Sequence, residues 1–160
     1  MDIKNFELTT IQENAFIYET HLRNVNRRRD LWNKEIRERL KTTLESVQKN
    51  FPKIDWFVQD MDSKVNYETL ALKIKDSPSG ITNQSEGSSH LKRGGSLCFS
   101  QMISGKIRVW MDYPFVEGVQ KEKLPPKEIV IVDPSYINEN LIAGYVQQFL
   151  NEITTYESNI

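Results

Sequence analysis

Residues 97–113 read LCFSQMISGKIRVWMDY. Over 106–113 the side chains alternate, with Ile107, Val109, Met111 and Tyr113 on one side and Lys106, Arg108, Trp110 and Asp112 on the other. A period of two is the mark of a strand with one buried face. Residues 97–103 form a second short apolar run, and Ser104-Gly105 between the two is a hairpin connection. Pro114 stops the second strand because it has no N–H for the ladder. Antiparallel pairing in the middle of the chain therefore decides the fold.

Further strands lie on both sides. Residues 54–58 are short, apolar and β-favouring. Over 64–75, Glu68, Leu70, Leu72 and Ile74 share one face, and Tyr67, Thr69, Ala71 and Lys73 the other. Residues 128–132 make another strand after a polar connector holding Gly118 and Pro125-Pro126. No helical pattern separates these strands, so the sheet is mostly antiparallel, with four to five strands. Residues 76–96 show no period. Eleven of these 21 residues are Gly, Ser or Pro, which predicts a flexible loop that would serve as a lid.

Helical patterns occupy the two ends. Ile11, Ala15, Tyr18, Leu22, Val25, Trp32, Ile36, Leu40, Leu44, Val47 and Phe51 recur mostly at steps of three or four, interrupted only at Arg29. Thr10 and Glu13 fit a capping box, and Phe51-Pro52 ends the pattern. Unbroken, a helix over 10–50 would be roughly 60 Å long, against roughly 40 Å for a compact chain of this size. Either it breaks near Asn24-Val25-Asn26, where helix propensity is lowest, or it projects and pairs with another chain. Near the C-terminus, Asp133 reads as an N-cap and Pro134 as the first helical residue. Ile137, Leu141, Tyr145, Phe149 and Ile153 then form one apolar stripe. The expected fold is α+β, a single domain over 1–160, its sheet flanked by a long N-terminal helix (or two helices) and a C-terminal helix.

Composition narrows the function classes. The chain has 160 residues, 38% hydrophobic and 27% charged, with net charge -1. That excludes a globally basic nucleic-acid binder and a like-charged disordered tail. One cysteine, Cys98, excludes a disulfide framework and an all-cysteine zinc site. The first residues lack the apolar run of a secretory signal, and no run approaches the ~18 apolar residues of a membrane span. A cytoplasmic location without membrane contact is the expectation.

No catalytic constellation emerges. Cys98 lies mid-strand and reads as a small buried side chain. His21 and His90 have no partner at metal-ligand spacing. Asp60-Met61-Asp62-Ser63-Lys64-Val65 begins like a calcium loop, but Lys64 and Val65 stand where an oxygen ligand and a glycine are needed. Neither a metal nor a cofactor is expected. Lys92 and Arg93, followed by Gly94-Gly95, are candidates for touching an anion. Arg27, Arg28 and Arg29 are candidates for anion or nucleic-acid contact. Yet residues 1–50 carry ten Lys/Arg and eight Asp/Glu, and pairs such as Arg27–Asp30 and Lys34–Glu38 would neutralise a solvated helix face.

Three readings remain. The first is a non-enzymatic protein-interaction module that pairs with a protein partner or with itself, as a homodimer, through Trp32, Ile36 and the sheet residues Trp110 and Arg108. Trp110 points away from the Ile/Val/Met face, onto a surface that is either open or covered by the N-terminal helix. The second is a small-molecule or peptide pocket, an enzyme included, with His90, Asp112, Tyr113 and Glu117 as polar groups under the 76–96 lid. The third is nucleic-acid binding by the arginine-rich helix.

Overall fold

The computed structural model describes residues 5–61 and 67–160. Residues 5–50 form one uninterrupted helix, in three parts. These are α1 (Asn5–Leu31), a π-helical turn (Trp32–Ile36) and α2 (Arg37–Asn50). The expected break at Asn24-Val25-Asn26 does not occur. Tertiary contacts just beyond this weak segment override its low propensity. The irregularity falls instead at the π turn, where the Arg37 N–H donates to the Trp32 carbonyl. That wider turn re-aims the apolar stripe so that Trp32, Ile36, Leu40 and Leu44 all enter the core.

Five strands make the main sheet. They are β1 (Trp56–Met61), β2 (Thr69–Ile74), β5 (Ser96–Gln101), β6 (Ile107–Asp112) and β8 (Lys127–Val132), in the order β1-β2-β5-β6-β8. Every neighbouring pair is antiparallel. The register lines Leu70, Phe99, Val109 and Val130 across the sheet, with Leu72, Leu97 and Met111 two residues along. These side chains meet α2 and α3 (Glu139–Glu157), whose Ile142, Tyr145, Val146, Phe149 and Ile153 close the core. The fold is therefore α+β, with the helices on one face of an antiparallel sheet.

The stretch 76–96 is not a patternless loop. It holds β3 (Ser77–Asn83) and β4 (Ser88–Arg93), a hairpin that joins β7 (Phe115–Val116) in a second, three-stranded sheet. Asn83 organises the turn, accepting from the Ser85 N–H at 3.1 Å and from the Gly87 N–H at 2.8 Å. β3 is exposed along nearly its whole length. With neither face buried, no alternation was imposed on its sequence.

The C-terminal helix also starts later than expected. Asp133 caps a single 3-10 turn (Pro134–Tyr136), and Asn138 caps α3 by accepting from the Leu141 N–H at 2.8 Å. Ile137 lies between the two, fully buried.

Candidate functional site

The first helix is held to the body at one level. Asp133 accepts from Arg27 Nη2 and from Arg28 Nε, each at 2.8 Å. Arg28 also donates to the Ser104 carbonyl at 3.2 Å, and Arg29 to the Ile103 carbonyl at 2.6 Å. The arginine triplet thus ties α1 to the β5–β6 turn and to the 3-10 turn. The expected pair Arg27–Asp30 does not form. Asp30 takes Lys34 instead, and Arg39 takes Glu35. Hydrogen bonding from Arg27, then from Arg28 and Ser135, outweighs burial and holds the Asp133 carboxyl well below the usual carboxylate range. Gly105 lets the turn approach. Its φ is +80°, and a Cβ there would stand 2.7 Å from Arg28 Cβ.

Beyond that level the helix leaves the body. Residues 5–22 extend for roughly 27 Å at ~1.5 Å per residue. Leu8, Ile11, Ala15, Tyr18 and Leu22 continue the line of Val25 at alternating steps of three and four, the spacing of a coiled-coil seam. Below Val25 the same line enters the core at Trp32 and Ile36. Above it the line is bare, with Ile11 53% and Tyr18 61% exposed. Phe16 and Ile17, off the seam, are exposed too. Two more exposed apolar side chains, Ile103 (82%) and Tyr136, sit on the turns that grip the helix.

Trp32 and Ile36, expected at a partner surface, are instead enclosed by their own core. Trp32 Nε1 donates to Glu68 Oε1 at 2.6 Å, and Arg37 Nε bonds the same carboxylate at 2.9 Å. Arg37 also reaches Asp60. Sequence reasoning placed Glu68 on the core face but missed this buried pairing. A lone acid among Leu70, Leu72 and Ile74 was the available signal, since a buried carboxylate needs a partner.

The opposite face of the main sheet is partly open. A cavity of about 610 Å3 lies there, lined among others by Lys73, Arg93, Cys98, Trp110, Asp112 and Glu117. Trp110 is half-buried, with Nε1 donating to Ser100 Oγ at 2.9 Å and Arg108 stacked 5.7 Å above its ring. Burial pushes the Cys98 thiol up to about 11, which leaves it protonated and unreactive at neutral pH. Some of the cavity's charged groups are paired: Arg93 bonds Asp76 and Glu117, and Asp112 bonds Lys123 through Oδ2, while Asp112 Oδ1 is buried with no hydrogen-bond partner among the described residues.

The expected pocket group is split. Asp112 and Glu117 line this cavity. Tyr113 lies on the helix side, its hydroxyl 3.3 Å from Glu152 Oε2 and its ring edge-on to Tyr156. His90 packs on Gly118. Of the calcium-like run, Asp60 pairs with Arg37, and residues 62–65 lie outside those described. Among the described residues there is no group of three or more His, Cys, Asp or Glu placed to hold a metal. None of their helices is long and apolar enough to cross a membrane.

No family model, curated protein or solved structure matches this chain. The uncovered helix and the open sheet face are what the molecule itself offers.

Proposed function

We propose that this protein is a non-enzymatic interaction module that associates with itself through the projecting half of its first helix. The observation that carries the reading is the bare seam of Leu8, Ile11, Ala15, Tyr18 and Leu22, in line with side chains that the body does cover. A lone helix of this length is marginal in water and gains stability when its apolar face is packed. The four large seam side chains, about half exposed, have about half their surface left to bury, so covering them on each of two chains is worth roughly 6–8 kcal/mol, half of ~1.5–2 kcal/mol each. Association costs ~4–15 kcal/mol. The balance describes a pair that forms and dissociates with concentration.

Light scattering coupled to size exclusion tests this on the full chain. Wild type should show the mass of two chains at high concentration and drift towards one on dilution. Ile11→Glu and Tyr18→Glu should each give one chain, with any loss of helical circular dichroism limited to the projecting half. A wild-type mass of one chain up to the high micromolar range would remove the reading.

A further inference from the structure

Resting on that reading, we infer that two copies pair antiparallel through residues 5–25, so that Leu8 meets the partner's Val25, Ile11 the partner's Leu22, and Ala15 the partner's Tyr18. Two features select this arrangement over a parallel pair.

The first is space. The body meets the helix from Val25 onward, where the β5–β6 turn lies against Val25 and Arg28. A parallel, in-register partner would bring its own body to this same end, and an antiparallel partner places it at the other. The two bodies then lie at opposite ends of the shared helix pair.

The second is size. In a parallel, in-register pair, Tyr18 faces the partner's Tyr18 and Ala15 the partner's Ala15. A crowded layer would sit beside a gap. Antiparallel pairing sets the largest seam residue against the smallest, twice, on either side of the two-fold axis. Interdigitation of large with small is what close packing requires.

Site-directed cross-linking reads the orientation. Ile11→Cys and Leu22→Cys are made separately in the full chain, at positions exposed in the single copy, with circular dichroism checking the fold. The two are combined under reducing conditions and then oxidised with oxidised glutathione. In the antiparallel pair two copies of Ile11→Cys hold their thiols roughly 16 Å apart, eleven residues at ~1.5 Å, beyond the ~7 Å Cα limit of a disulfide. Each variant alone should therefore stay uncrosslinked on a non-reducing gel, and the mixture should give a two-chain band. Cross-linking of each variant alone would overturn the inference while leaving self-association standing. So would an uncrosslinked mixture when wild type shows a two-chain mass. A one-chain mass for wild type would instead remove the reading beneath it.

Discussion

Between residues 25 and 50 the first helix buries Trp32, Ile36, Leu40 and Leu44 under its own sheet. Between 5 and 22 it presents Leu8, Ile11, Tyr18 and Leu22 to solvent. The apolar spacing runs on across the boundary, interrupted only at Arg29. The difference lies outside the helix. The β5–β6 turn and the 3-10 turn reach as far as Val25 and stop. An apolar stripe thus states that a surface needs cover, and the rest of the fold decides how much of it the chain covers itself.

The contrast is sharpest at Trp32. Trp32→Ala removes a fully buried indole and should cost about 3–5 kcal/mol in urea unfolding. Trp32→Phe keeps much of the volume but removes one of the two donors to the buried Glu68 carboxylate, leaving Arg37, and should cost about 1–3 kcal/mol. Ile11→Ala, on the bare half, should stay within about 0.5 kcal/mol when measured at concentrations where the chain is single. An Ile11→Ala loss comparable to that of Trp32→Phe would mean that the outer half is covered in the single chain, and the comparison would fail.

Gly105 marks where cover ends. Gly105→Val adds a side chain at a φ of +80° and within 2.7 Å of Arg28 Cβ. Strain and overpacking together should cost about 2–3 kcal/mol. Hydrogen exchange would localise the effect, with amides of residues 20–31 losing protection before those of the sheet. Uniform loss over the whole chain would instead place the boundary turn within the folding core.

Much of this architecture was legible because one face of each decisive element is buried. The 97–113 hairpin, the β2 alternation and the stripe on α3 each follow that rule. The β3–β4 hairpin was not legible, because both its faces are largely exposed and its Ser, Gly and Pro residues carry no period. The π turn left only a slight irregularity in spacing. Asn138 was passed over because Asp133-Pro134 offers the stronger cap signal, which serves a shorter turn. The candidate surface was half legible. Periodicity marked both segments of the stripe, but telling the buried Trp32 and Ile36 from the exposed Ile11 and Tyr18 needed the position of the body, which spacing does not contain.

A smaller effect than at Trp32 or Gly105 is expected at the clamp itself. The Asp133 carboxyl is held below its ordinary value of 3.8 chiefly by the Arg27 hydrogen bond. A carboxylate depressed in the folded state stabilises that state at pH values above its unfolded range, and the contribution disappears as pH falls through the folded value. The clamp should therefore be at full strength from neutral pH down to about 4 and weaken below it. Asp133→Asn should lower stability by about 1 kcal/mol at neutral pH, since Arg27 is half exposed and its pairing is screened. It should also flatten the acid limb of the stability–pH curve between wild type and variant. Because the clamp joins only α1 to the 3-10 turn, the loss belongs to residues 25–31 and not to the sheet. If acid instead released the outer half of α1 and the sheet together, helix and body would form one cooperative unit, and the line drawn at Val25 would mark a change in exposure without a change in stability.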